Sequence, residues 1–579
     1  MTSSSPTVCL KIGIVWALSA CSGNGVEPSE LATSSAVSAL KRASYAQALR
    51  RSDGPNAQAY PRWVDQKQRP MYPTHPTSST YPTHPSRCYA SKPALLSDDV
   101  LKRLAEAIES LRTTTRIPGA SVALVECGKI RYEAGFGLRD LETKQPVTPH
   151  TVFRVGSTTK AMTSTLIATW VDEGQLEFDT RAVDVDPAFE LPTPELTESV
   201  TVGQLMGMGT GLDEALPFWW EDSTAQDLLR SLATLPIASS PGVFLYNNFV
   251  YASAGYVGLI AAGTHRPSVA AYAHAIEQRL FRPLGMHPAA ISDLPSSVSP
   301  NHAQSYGISL AHGMNYEDPL PLFPIGGLGP AGSAVTSAEG LARFVMMQLN
   351  HGVAPNGTRI VSEKNLLRTQ LPQTPVPAGA AGELDYAMGW VIQNNAGVQT
   401  VWHNGGIDAF GTLMWTVPEA GLGLVVLANG YYASEFYTAV QETLMRLVYG
   451  SSNLDPDDIL AMYRASDAEL VSLADTISEQ PPLDAETVKP YLGKYEHQLR
   501  LEFDSVHHEL LLTAPGLRCV LASIEGLTGK PRSFVIANGG SFMLQVVSLV
   551  AGENGPELAF LDSETYAPVV VLKKLHWSR

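Results

Sequence analysis

A chain of 579 residues, 44% hydrophobic and 17% charged, has material for one large core and a second, smaller one. Its net charge of -16, with no lysine- or arginine-rich cluster, argues against a nucleic-acid partner. No apolar run nears the roughly 20 residues of a membrane span, and Walker, dinucleotide-binding and paired Cys-x-x-Cys signatures are missing, so neither cofactor nor metal is expected.

At the N-terminus, Ile12-Gly-Ile-Val-Trp-Ala-Leu18 follows Lys11, and Leu18-Ser-Ala-Cys21 closes the apolar run with small residues. The pattern is similar to a bacterial lipoprotein signal over residues 1–21. That similarity implies export to the periplasm or cell envelope and possible membrane attachment through lipidated Cys21; an N-terminus without that function is the alternative. Cys9, Cys88, Cys127 and Cys519 are too scattered for a disulfide framework, and Cys127 and Cys519 read as structural thiols. Residues 22–96 are rich in Ser, Pro and Thr and duplicate Tyr-Pro-Thr-His-Pro at Tyr72 and Tyr81. Proline at that density favours extended, solvated backbone, so the segment reads as a linker.

Residues 97–450 read as one α+β domain, an antiparallel sheet flanked by helices beside a mostly helical subdomain. Leu101, Leu104, Ile108 and Leu111 mark an amphipathic helix that starts at Ser97-Asp-Asp99. Ala120–Val125 and Lys129–Tyr132 form a hairpin around Cys127-Gly128. A strand-like Thr151–Val155 then passes Gly156 and opens a helix carrying Met162, Leu166 and Trp170. Ser157 and Lys160 lie one turn apart on one face of it, the geometry a serine nucleophile and a lysine base require. The spelling alone is not specific, because Ser38 and Lys41 repeat it in the linker.

A helical, loop-rich middle runs from about Asp179 to Gln373 and contains Tyr246-Asn-Asn248 and the loop Gly326–Ser333. Strands return at Thr400–His403, Gly411–Val417 and Leu422–Leu427, the last two joined by Pro418-Glu-Ala-Gly421. A helix through Val440, Leu444 and Leu447 closes the domain. Residues 451–485 form an acidic connector. From Pro490 the pattern alternates, as in Leu499, Leu501 and Phe503, Leu510 and Leu512, and Phe542, Leu544 and Val546, so 486–579 read as a small all-β, barrel-like domain.

Ser157-x-x-Lys160, Tyr246-x-Asn248 and His403-Asn-Gly-Gly406 occur in that order, with Pro146–Ser157, Pro283-Leu-Gly-Met286 and Tyr386-Ala-Met-Gly-Trp390 between and around them. Jointly they resemble the serine β-lactamase and penicillin-binding-protein superfamily, in the branch of class C β-lactamases and their esterase and D-aminopeptidase relatives. The C-terminal domain is similar to the lipocalin-like modules of some such hydrolases. The resemblance implies Ser157 as nucleophile, Lys160 as base, Tyr246 as a partner in proton transfer and Asn248 as a substrate-orienting amide. It also implies substrate binding by His403, Asn404, Gly405 and Gly406, with an oxyanion hole at the N–H groups of Ser157 and Gly406.

Two departures stand out. Where the superfamily usually has Lys-Thr-Gly, this chain has His403-Asn-Gly405, expected to titrate near the ordinary histidine pKa of about 6.5 and to supply a cation only at lower pH. Leu205–Leu212 replaces a His-Thr-Ser core and reads as structural. Phe218-Trp-Trp220 is a candidate wall for an apolar acyl pocket or plain packing, and His507-His508-Glu509 reads as a solvated strand end. The expected activity is hydrolysis of small esters or peptides through a Ser157 acyl-enzyme. A β-lactamase or DD-peptidase, and a non-catalytic binder of β-lactams or peptidoglycan fragments, are the alternatives.

Overall fold

The computed structural model describes residues 95–214, 223–312, 314–316, 319–322, 324–379, 382–480, 483–496, 498–514, 517–524, 532–538, 546–552, 555–561 and 568–575. Cys21, Ser38 and Lys41, the paired Tyr-Pro-Thr-His-Pro segments, Phe218-Trp-Trp220, Phe542 and Leu544 lie outside them.

The first helix, α1 (Asp98–Thr114), starts where its sequence says it should: the Ser97 side chain accepts from Val100 N, and Asp98 and Asp99 sit in the positive first turn. Its Leu104, Ile108 and Leu111 are buried. The hairpin follows as β1 (Gly119–Glu126) and β2 (Lys129–Asp140), with Cys127 and Gly128 both left-handed at φ 51° and 72°. Two such residues match the right-handed strand twist. Cys127 is disulfide-bonded, which corrects the sequence reading of a thiol there. Cys519 is buried and free, and burial pushes its thiol up to about 12.

β3 (Gln145–Pro146) completes this edge. β4 (Phe153–Arg154) leads into the buried helix α2 (Thr159–Asp172). The apolar repeat of α2 predicted a one-sided helix, but Thr159 to Val171 are buried on every side. Helix α3 (Asn248–Ala261) makes this possible through its small residues: a Cβ on Gly258 would stand 2.7 Å from the Trp170 ring. β5 (Ala289–Ile291) and β6 (Ala334–Thr336) join β4 in a small sheet ordered β4-β6-β5. Helix α4 (Ala338–Leu349) follows.

Six strands then complete the main sheet: β7 (Thr374–Gly379), β8 (Gly382–Tyr386), β9 (Val391–Asn395), β10 (Val398–Ile407), β11 (Phe410–Val417) and β12 (Leu422–Ala428). Its order is β3-β2-β1-β12-β11-β10-β9-β8-β7, every pair antiparallel. The first and last segments of the unit thus share one sheet. The strands β7 to β9 were not foreseen, because Pro375, Pro377 and Gly379 read as loop; proline is tolerated there since β7 is the sheet's edge.

Helix α5 (Ala433–Tyr449) covers the sheet and α6 (Pro456–Ser478) follows it. Eight antiparallel strands then run as a meander from Gly493–Lys494 to Pro568–Lys573. The sheet curls so far that Tyr495 bridges Lys574 and Leu575 N donates to Lys494 O at 2.8 Å. Leu501, Leu510, Leu512, Leu521, Val547 and Leu558 fill its interior. It meets the first unit through Leu310 N, which donates to Ala537 O at 2.8 Å. His312 also bonds Glu509 at 2.9 Å, beside a second pair made by His507 and Asp504.

Candidate active site

Positioning begins with the backbone before α2. Gly156 is left-handed at φ 52°, and residues 156–158 form a single 3-10 turn. Ser157 therefore stands ahead of the α-helix, which starts at Thr159, and is not its N-cap. Thr159 ties this turn to the start of β6: its Oγ1 donates to Gly156 O at 2.7 Å and accepts from Ala334 N at 3.0 Å.

Lys160 is wholly buried, and its Nζ has three partners: Ser157 Oγ at 3.0 Å, Asn248 Oδ1 at 2.5 Å and Ala331 O at 2.9 Å. Burial lowers its pKa to about 7, against the opposing pull of the Glu214 charge. In the neutral amine two N–H groups satisfy the amide and carbonyl oxygens, and the lone pair is left to accept the Ser157 proton. Ala331 comes from the glycine-rich stretch read as a loop, which instead forms a 3-10 turn (Gly326–Leu328) and one helical turn (Gly329–Gly332); the sequence did not disclose its part in the site.

Tyr246 lies just before α3, where the Asn247 side chain caps Val250 N at 3.0 Å and donates to Leu212 O at 2.9 Å. Lys160 Nζ stands 4.8 Å from the centre of the Tyr246 ring. The Tyr246 hydroxyl is buried without a well-formed hydrogen bond, its near neighbours being Ser157 and Tyr386. Burial pushes its pKa far above the usual phenol value, so the hydroxyl keeps its proton.

Residues 205–214 contribute more than the sequence suggested. Leu212 O holds Asn247, and Glu214 accepts from Asn248 Nδ2 with both carboxylate oxygens, at 3.0 and 3.2 Å. Glu214 was missed because an acidic residue beside Asp213 near a glycine-rich stretch carries no spacing signal of its own.

The third motif occupies the C-terminal half of β10, one residue short of its end at Ile407, and its residues alternate between the faces. Gly405 faces the nucleophile: an added Cβ would stand 2.1 Å from Val155 O and 2.9 Å from Ser157 N. Conversely, a Cβ on Gly156 would stand 2.9 Å from Gly406 N. Two bare glycines thus let the third motif and the nucleophile turn pack backbone against backbone. Asn404, expected to bind substrate, points its side chain the other way and donates to Tyr437 OH at 2.8 Å.

His403 is also corrected. Its Nδ1 bonds the Asn404 carbonyl, which can only accept, so Nδ1 carries the proton. Nε2 therefore accepts from Tyr386 OH at 2.9 Å. Burial, then the charge of Lys160, lowers its pKa to about 3, so it does not become the switchable cation the sequence suggested. Tyr386, the partner that sequence reasoning missed, also sets its ring edge-on to Tyr246 at 6.1 Å.

The buried Arg154 side chain joins the nucleophile turn to two other segments. Arg154, just before the nucleophile turn, pairs with Asp408 in the β10–β11 turn and, at 3.1 Å, with Asp293. Asp408 and Ala409 are both left-handed, at φ 47° and 63°.

Comparison with known proteins places these residues in context. The Beta-lactamase family model matches residues 104–444. Penicillin-binding protein 4 of Amycolatopsis lactamdurans is 30% identical over 359 residues, covering 59% of this chain and 88% of that protein. An unguisins hydrolase of Aspergillus campestris is 27% identical over 367 residues, covering 60% of this chain and 65% of that protein. Among solved structures, the octameric penicillin-binding protein homologue from Pyrococcus abyssi superposes with a TM-score of 0.51 at 20% identity, covering 82% of this chain and 100% of that one. That likeness concerns the fold.

Proposed function

The chain belongs to the Beta-lactamase family, and from that premise we propose that it is an exported serine hydrolase that cleaves an ester or amide bond through an acyl-enzyme on Ser157. The observation that carries this reading is the 3.0 Å contact between Ser157 Oγ and a buried Lys160 whose pKa lies at about 7. Half of such a lysine is neutral near pH 7, so a base is available at ordinary pH.

In the proposed sequence Ser157 Oγ attacks the substrate carbonyl carbon and its proton passes to Lys160 Nζ. The carbonyl oxygen becomes an oxyanion held by the N–H groups of Ser157 and Gly406, each worth on the order of 3 kcal/mol. Tyr246 donates its proton to the departing alkoxide or amine and is resupplied from Lys160. Water then attacks the ester to Ser157, passing its proton back through the same pair and returning the serine hydroxyl. The unmet Tyr246 hydroxyl supports this role, since a buried polar group without a partner costs about 1–3 kcal/mol.

Small carboxylic esters and peptides, including D-amino-acid peptides, are the proposed substrates; the Asn248 amide, expected to orient the acyl part, is engaged by Lys160 and Glu214 instead. The neutral, enclosed His403 gives no charge for a substrate carboxylate, which weighs against penicillins as main substrates. A DD-peptidase or β-lactamase is the second reading, favoured by the similarity to penicillin-binding protein 4. The disulfide at Cys127 supports export, because such bonds persist mainly in oxidising compartments; anchoring through Cys21 is proposed from its sequence alone.

The test is turnover. Purified protein is mixed with an activated ester, a D-alanyl peptide and a penicillin, following both burst and steady state. Continued product release with the ester or peptide, absent in Ser157→Ala, supports the hydrolase; a stoichiometric burst followed by no turnover on all three supports a binding protein.

A further inference from the structure

Asn248 has a choice of orientation that its own chain position does not settle. Turned one way its Oδ1 accepts from Lys160; turned the other, its Nδ2 faces the amine as a donor. In the second state the amide would compete with Ser157 for the lysine lone pair. The structure resolves the choice through Glu214, whose two oxygens accept from Nδ2 at 3.0 and 3.2 Å while Oδ1 meets Lys160 Nζ at 2.5 Å. An ionised carboxylate can only accept, so it is compatible with one orientation alone.

We infer that Glu214 is a positioning residue of the reaction: it clamps the Asn248 amide so that Oδ1 faces Lys160 and the lysine lone pair is kept for Ser157. The inference rests on the reading of Lys160 as base. A glutamine at 214 would not do the same work, because its amide can pair with either orientation of Asn248. Glu214 is also nearly enclosed, and Asp213 beside it is engaged through its carboxylate with Glu214 N at 2.8 Å.

The same carboxylate acts on Lys160 through its charge. The groups around Lys160 are Ser157, Tyr246, Tyr251, His403 and Asn248, with Tyr386 behind. The tyrosines and His403 are neutral at pH 7, because burial raises the phenols and lowers the imidazole. Glu214 is therefore the negative charge that opposes the desolvation of Lys160. Its removal makes protonated Lys160 less stable and lowers the pH at which the amine titrates.

The experiment compares wild type, Glu214→Gln and Glu214→Asp by single-turnover acylation across pH, with Lys160 titrated independently by NMR of carbon-labelled lysine. In Glu214→Gln the acidic limb and the Lys160 midpoint should fall together by about half a pH unit or more. Its acylation rate at high pH should fall about tenfold with little change in KM, an interaction lost from the transition state more than from binding. Glu214→Asp keeps the charge and should hold the midpoint near the wild-type value. An unmoved Lys160 midpoint in Glu214→Gln, or an unchanged high-pH rate, overturns the inference while a normally acylating wild type leaves the hydrolase reading standing. A wild type that fails to acylate at any pH overturns both.

Discussion

Tyr386 OH donates to His403 Nε2 at 2.9 Å, and with Nδ1 bonded to the Asn404 carbonyl the imidazole has no nitrogen left for a substrate. This pairing makes His403 a buried, uncharged prop beside the Tyr246 ring. The ratio of kcat/KM for a penicillin to that for a neutral ester should therefore stay flat between about pH 5.5 and 8.5, since the ring, at about 3, does not titrate in that window. His403→Lys should destabilise the fold by about 3–5 kcal/mol by leaving a charge buried without a partner. Parallel pH profiles and a denaturant titration check both. A ratio that rises as pH falls would restore His403 as a substrate-facing group.

The two glycines of the third motif should respond in opposite ways. Gly405→Ala drives a Cβ to 2.1 Å from Val155 O, a backbone atom that cannot step aside. It should lose activity and about 1–3 kcal/mol of stability, the range for an overpacked site. A Cβ on Gly406 meets nothing within 4 Å, so Gly406→Ala should fold like wild type. Thermal unfolding of the two variants side by side is the check.

Much of this layout was legible in the sequence. The Ser157 turn and the Cys127-Gly128 hairpin follow from periodicity and turn chemistry, which are local. What was not legible depends on distant chain segments meeting. Tyr386 sits 17 positions before His403, at the end of β8, beside an edge strand β7 whose prolines disguise that part of the sheet. Glu214 and the Ala331 carbonyl acquire their parts only when the helical middle folds over Lys160. The tautomer and burial of His403 likewise follow from packing and not from residue type.

Arg154 and Asp408 form the buried pair that couples the nucleophile turn to the β10–β11 hairpin. Arg154→Met should cost about 3–5 kcal/mol, because the carboxylate loses its partner in a site without water's dielectric. Burial already raises Asp408 to about 6 with the arginine in place. Adding Asp408→Asn should recover part of the loss, since asparagine tolerates the left-handed turn and carries no charge. Equilibrium denaturation of the single and double variants measures this coupling; additive losses would show that the pair does not act as a unit.

The most direct test of the central claim is covalent labelling by a fluorophosphonate, with the adduct mapped to its residue and its rate followed with pH. The account predicts one adduct, on Ser157, forming at a rate that climbs through about pH 7 as Lys160 loses its proton. Labelling should vanish in Ser157→Ala and slow by about 100-fold or more in Lys160→Ala, the scale of a lost general base. An adduct on another serine, such as Ser38, or labelling that proceeds at the wild-type rate without Lys160, would contradict it.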